Sequence, residues 1–396
     1  LQDRLLGRRP VTASAIRPVE EPPVARGPRV PLLDPLLLLA AVGLVVCSAL
    51  TLNVISGRAL AERQVVYAGI GLALCLVVGR IDYSRLREFK YGFYALMVAL
   101  NLVVYGMPRI QGAHRWIPLP LMNFQSSEFG KILLIVALAG FAVDRSRRLH
   151  EWRTTARIMF VAVVCALLVI PQPDLGTGMV YVAVGFSVLF FAGTSFKQLT
   201  ALVAMFVASL AIVLAGAPAL GVHVLKGYQR DRLTAFIDPA TAGPYGYQLQ
   251  QAEIAIGSGQ KTGLGKRAYQ TKLDFLPADS TDFVFAAVGE TYGFVGAAIV
   301  LSLYALLIWR ALRILAISKN LFGTLIAAGI VAMLMFQIFV NVGMTIGIMP
   351  ITGVPLQLLS YGGSSAIVTF IAIGLLESIY VQGRLAQIGK SRNLIS

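Results

Sequence analysis

The sequence predicts an all-α, polytopic integral membrane protein with ten transmembrane helices and one long extracytoplasmic loop. Three observations predict it. Of the 396 residues, 57% are hydrophobic and only 13% are charged, about half the charged share of a soluble domain. The apolar residues gather in runs of about 20, the length a helix needs to cross a hydrocarbon core about 30 Å thick. The basic residues gather in short loops on one side of those runs, as the positive-inside rule requires. That clustering accounts for the net charge of +15 without a nucleic-acid partner. No groove pattern of aromatic and basic residues supports one either.

The tail, residues 1–33, is rich in Arg and Pro with little periodicity, and reads as a disordered cytoplasmic segment with no cleavable signal. A membrane domain follows over 34–384. Its apolar runs place spans at 35–55, 65–78, 91–105, 129–143, 158–170, 176–191, 199–214, 283–312, 322–344 and 366–381. Inside loops then carry Arg80, Arg85, Arg87 and Lys90, the Arg145–Arg157 cluster, Lys197, and Arg310, Arg313 and Lys319. Short outside loops carry only Arg58, Arg63, Arg109 and Arg115. Both termini are therefore expected in the cytoplasm, with 385–396 as a C-terminal tail and 215–282 facing outward. Cys47, Cys75 and Cys165 fall inside apolar runs and read as small buried hydrophobes. The three histidines are scattered, so no His-based metal site is expected.

Asp282 is the residue the outer side is organised around. It ends the long polar segment and opens the eighth run, in FLPADSTDFVFAAVGE (275–290). An ionisable residue near bilayer depth is a functional-site hypothesis, set against a helix-capping role that Thr281 could also fill. Asp279 beside it would raise its pKa. Glu128 and Lys131, spaced i, i+3 at the mouth of the fourth span, read as an ion pair. They serve a ligand or merely orient two helices. Arg115–Trp116 reads as an interfacial anchor first and a ligand contact second. Asp174 reads as a helix cap. Glu290, two turns below Asp282, is structural or substrate-lining with equal weight.

The long loop holds a short amphipathic helix around Gln248–Ala255, expected at the membrane interface. Glycines 257, 259, 263 and 265 allow tight turns or close approach of the backbone to a ligand. Arg230, Arg232 and Lys266, among other loop cations, suit a phosphate-bearing substrate. The Gly- and Pro-rich stretch 341–365, which includes Ser360, interrupts the chain after the ninth span. Irregular backbone at that depth survives only where it is buried or lines a cavity.

The motifs RWI (115–117), QSSEFGK (125–131), PDLGTG (173–178), YQRDR (228–232), GYQLQQAEIAIGSG (246–259), LPADSTDFVFAAVGE (276–290) and GIMPITGVPLQLLSYGGSS (347–365) occur in the order of one family. From about Leu36 to Arg384 the chain resembles the SEDS family (shape, elongation, division, sporulation; the FtsW/RodA family). MTIGIMP (344–350) is more like its elongation branch than its division branch. The resemblance implies a peptidoglycan glycosyltransferase that polymerises lipid II. It also implies a class B penicillin-binding protein as crosslinking partner. The family's essential aspartate then matches Asp282, and its embedded Glu/Lys pair matches Glu128 and Lys131. Ser126 and Gln357 stand where the family usually has Pro, and Ala278, Asp279 and Ser280 depart from the pattern before TDF.

Joining two lipid II units requires a base for the acceptor hydroxyl and positive charge for the leaving diphosphate. Asp282 is the expected base, with inversion. Arg115, Arg230, Arg232, Lys266, Glu128, Lys131, Glu290 and Ser360 are the expected substrate-binding residues. A divalent cation (Mg or Mn) is the one cofactor this chemistry could use, and no protein metal site is expected. A lipid II flippase, the division-specific paralogue with the same chemistry, and a pure scaffold are the alternatives. A transporter would place the weight on Glu128, Lys131 and Glu290.

Overall fold

The computed structural model describes residues 33–108, 114–120, 122–216, 226–239, 243–273 and 275–393. The expected disordered tail, apart from Leu33, lies outside the described residues, as does Arg109. Ten apolar helices build the membrane domain. They are α1 (Pro35–Ile55), α2 (Arg58–Val78), α3 (Lys90–Val103), α4 (Ser126–Asp144), α5 (Trp152–Val169), α6 (Leu175–Phe191) and α7 (Phe196–Ala211). Outside them, α8 (Gly227–Ile237), α9 (Gly243–Ser258) and the single turn α10 (Tyr269–Lys272) form the long loop. The chain returns through α11 (Val284–Ile317), α12 (Leu321–Thr345) and α13 (Gly363–Asn393). Nine of the described helical segments are long and apolar enough to cross a membrane. The tenth, α6, has 17 residues, about 25 Å at 1.5 Å per residue.

Helix ends depart from the apolar runs for physical reasons. Helix α2 begins at Arg58, about two turns before its apolar run, because Arg58, Glu62 and Arg63 form its polar first turns. Arg58 and Glu62 pair across one turn at 2.6 Å. Helix α13 continues to Asn393, well past the expected span end at 381, since no Pro interrupts the polar turns that follow. Helix α1 starts where the sequence places it. Pro35 has no N–H to lose there, and the Asp34 carboxylate accepts from Leu36 N and Leu37 N at 3.1 and 3.2 Å. Asp34 is buried and paired with Arg310 of α11, while its own N–H donates to Glu377 of α13 at 2.7 Å.

The interior is made by α4, α12 and α13, whose apolar windows are mostly buried. Around them α2 packs on α13, α3 on α4, α6 on α12 and α1 on α11. Helix α7 turns almost all of its side chains outward, as lipid-facing surface does.

The helix α11 is two helices joined at Gly293, whose φ is 64°. The break frees backbone groups that the outer loop then satisfies. Phe294 N donates to Gln260 O and Val295 N to Lys261 O, at 2.8 and 3.1 Å, and Leu264 N donates to Glu290 O at 2.8 Å. A Cβ at Gly259 or Gly263 would collide with the Gly289 or Thr291 carbonyl. Those glycines therefore permit backbone-to-backbone contact with α11 rather than with a ligand, which corrects the sequence expectation. Helix α9 is amphipathic as expected, but its buried face of Gly246, Leu249, Ala252 and Ala255 rests on α11 and α12 instead of lying on the membrane surface.

Candidate active site

Asp282 sits on the turn that feeds α11, and three neighbouring backbone groups are tied down. The Ser360 hydroxyl donates to Thr281 O at 2.6 Å, Tyr361 N donates to Ser280 O at 2.8 Å, and Asn341 Nδ2 donates to Asp282 O at 2.8 Å. The same Asn341 amide reaches Val354 O at 2.8 Å, so α12 fixes both the Asp282 turn and the irregular 346–362 segment. This is how irregular backbone at this end of the helix bundle is satisfied.

Two cations and a second carboxylate face Asp282. Burial pushes its pKa above the ordinary carboxylate value, the Arg115 and Arg232 guanidiniums pull it back down, and Asp174 adds an upward push. Arg232 is held by Thr352 O at 2.9 Å and lies over the rings of Tyr228 and Tyr245, 5.9 and 5.2 Å from their centroids. Gly353 separates Arg232 from Asp282. A Cβ there would lie 3.4 Å from Arg232 Nη1 and 3.5 Å from Asp282 Oδ2, and its φ of 74° suits only glycine. Arg115 rests over Trp116, 5.5 Å from the ring centroid, on the short β-hairpin Trp116–Pro118 and Asn123–Gln125. Among the described residues, Arg115 Nε, Arg232 Nε and Tyr228 Oη are buried without a partner, and so are donors suited to an anionic oxygen.

Asp174 caps α6 as expected, accepting from Thr177 N at 3.1 Å. Its other oxygen takes Ser127 Oγ at 2.9 Å and Gln125 Nε2 at 3.2 Å. The sequence therefore identified its local role and missed its field at Asp282, which depends on a contact between distant segments.

The remaining expected ligands fall elsewhere. Arg230 is exposed on α8, and at 100° per residue it points away from Arg232. Lys266 is exposed on the 265–267 turn, which packs against α11 beside Glu290. Glu290 is fully buried. It accepts from Gln270 N, Thr271 N and Thr271 Oγ1 at 2.8, 3.0 and 2.9 Å, so it anchors α10 to α11 and is not substrate-lining. Ser360 is buried with its hydroxyl committed to Thr281 O and to Leu356 N, a positioning role instead of a binding one. Glu128 and Lys131 form a closed ion pair of 2.6 Å, both buried.

A polar network in the core completes that pair. Gln357 Nε2 reaches Glu128 Oε2 at 3.5 Å, while its Oε1 accepts from Ser365 and Thr369 at 2.6 Å each. With its amide oxygen turned toward Lys131, Gln337 lies 2.8 Å from Lys131 Nζ and 2.8 Å from Gln357 Nε2. Gln337 and Asn341, one turn apart in an otherwise apolar run, were the sequence signal for both networks.

Among the described residues no three His, Cys, Asp or Glu side chains gather as a metal cage.

Comparison with known proteins adds independent findings. The family model for cell cycle proteins of the FtsW, RodA and SpoVE type matches residues 32–385. The peptidoglycan glycosyltransferase MrdB of Escherichia coli K12 is 36% identical, with 89% of this chain and 95% of that protein covered. The peptidoglycan glycosyltransferase RodA of Treponema pallidum is 34% identical, covering 80% and 88%. Among solved structures, a chain of a peptidoglycan synthase complex described as coordinating polymerization and crosslinking superposes with a TM-score of 0.74 at 32% identity, covering 89% and 98%. The rod shape determining protein RodA of Thermus thermophilus superposes at 0.62 with 28% identity, covering 89% and 97%.

Proposed function

The chain belongs to the FtsW/RodA/SpoVE family, and from that premise we propose that it polymerises lipid II into glycan strands at the outer face of the bacterial inner membrane. It is a peptidoglycan glycosyltransferase of the RodA type, serving cell elongation. Asp282 takes the proton from the acceptor sugar hydroxyl as that oxygen attacks the anomeric carbon. The bond to the polyprenyl diphosphate breaks on the opposite face, giving inversion. Diphosphate leaves unprotonated if cations hold its charge, and Arg115 and Arg232 are the cations beside Asp282. If Mg or Mn binds here, Asp282 would be the residue to hold it, and the ion would supply further charge neutralisation. Both termini lie in the cytoplasm, and the partner is a class B penicillin-binding protein that crosslinks the strands.

One observation carries the assignment: a carboxylate on a turn tied down on both sides, facing two guanidiniums with unpartnered buried donors. A positioned base contributes about 10²–10⁴-fold to rate. Asp282→Asn is expected to lose that factor in lipid II polymerisation while folding and partner binding persist. Gel-resolved glycan from the purified protein, with and without the partner, measures it. Near-normal strands from the variant would remove Asp282 from the mechanism and leave the polymerase reading standing. No glycan from either protein would turn the question to lipid II flipping.

A further inference from the structure

A second cavity, of about 650 Å³, opens at the opposite, cytoplasmic end of the bundle. Its walls are the Gly79–Asp82 turn after α2, Lys319 between α11 and α12, and Ser378, Gln382 and Leu385 of α13. Arg80 forms no ion pair among the described residues. Lys319 is only loosely paired with Asp82, at 3.8 Å, and lies over the Tyr83 ring. Asp82 is already engaged by Ser84 N at 2.8 Å and by the Gln382 side chain. Gln382 Oε1 is buried with no partner among the described residues. Ile81 and Leu385, also in its lining, are 48% and 55% exposed.

We propose that this cavity binds an anionic phospholipid of the inner leaflet whose headgroup carries hydroxyls. The phosphate lies between Arg80 and Lys319, a headgroup hydroxyl donates to Gln382 Oε1, and the acyl chains leave over Ile81 and Leu385. Cations above an apolar lip match an amphiphile, whereas an acidic peptide would leave Ile81 and Leu385 uncovered. The site is independent of the polymerase reading, since it lies at the other end of the bundle from Asp282.

The test is native mass spectrometry of the full chain in phosphatidylcholine nanodiscs doped with phosphatidylglycerol. Each basic residue near an anionic lipid contributes about 1 kcal/mol, so Arg80→Gln/Lys319→Gln should weaken phosphatidylglycerol retention about 30-fold. Arg80→Gln alone should cost about fivefold, which keeps the test available if replacing Lys319 disturbs the Tyr83 region. Gln382→Leu should abolish any preference for phosphatidylglycerol over phosphatidic acid, which lacks the hydroxyls. Equal retention by wild type and Arg80→Gln would overturn the proposal. So would a wild type indifferent to phosphatidylglycerol, or a photo-crosslinker at position 81 that captures a protein and no lipid.

Discussion

At the scale of single residues, the active-site electrostatics rest on opposing charges around Asp282. A base works only when ionised, so activity rises with pH through its pKa. Burial and Asp174 raise that pKa, while Arg115 and Arg232 lower it. Removing a guanidinium should therefore move the acidic limb of the pH–rate profile to higher pH, and removing the Asp174 charge should move it lower. Arg232→Gln and Asp174→Asn are the pair to compare, because Asn retains the helix-capping oxygen of Asp174. Shifts of opposite sign in polymerisation rate against pH are expected; equal limbs would mean that Asp282 does not titrate in the reaction. Asp282 stands out in the sequence as a carboxylate at the start of an apolar run. Its neighbours do not. Arg230 and Arg232 look alike as sequence, and only the docking of α8 against Thr352 decides which one faces the site. Ser360 and Glu290 were expected to bind substrate, yet Ser360 holds Thr281 O and Leu356 N, and Glu290 holds Gln270 and Thr271.

At the scale of elements, the break in α11 is the feature least visible beforehand. The sequence presents one long, mostly apolar run, and Gly293 is one of three glycines in it. Those in GSGQKTGLG (257–265) pointed to close approach without naming what is approached. The structure supplies the answer, because the loop donates and accepts the hydrogen bonds that α11 lacks at Gly293. Gly263→Val therefore meets two obstacles. Its φ of 82° disfavours any side chain, and its Cβ would strike the Thr291 carbonyl. The outer loop should detach from α11, and with it α10, which Glu290 anchors. Hydrogen exchange at Leu264, Phe294 and Val295 should rise sharply in that variant, and polymerisation should fall. Gly257→Ala, where a Cβ meets nothing within 4 Å, is the matched control and should leave both unchanged. Protection that survives Gly263→Val would mean the loop is held by its side chains instead.

At the scale of the whole molecule, hydropathy and loop charge were enough to give ten spans in the right order. Both are properties of the chain against the bilayer and need no tertiary contact. The contacts that make the site do need it: Asp282 depends on segments near 115, 174, 232, 341 and 360, which close together only when α4, α6, α11 and α12 pack. Orientation links the two levels, because Asp282 can act on an outward-facing substrate only if α11 begins outside. Cysteine labelling tests that link directly. Cys75 and Cys165 are buried and Cys47 is partly so, which makes a Cys47→Ala background quiet toward a membrane-impermeant maleimide. In that background Lys261→Cys, exposed on the outer loop, should label in spheroplasts. Ser146→Cys, between α4 and α5, should label only after permeabilisation. The reverse pattern would put Asp282 and both guanidiniums on the cytoplasmic side. There Asp282 could not act on an outward-facing substrate, whatever its chemistry.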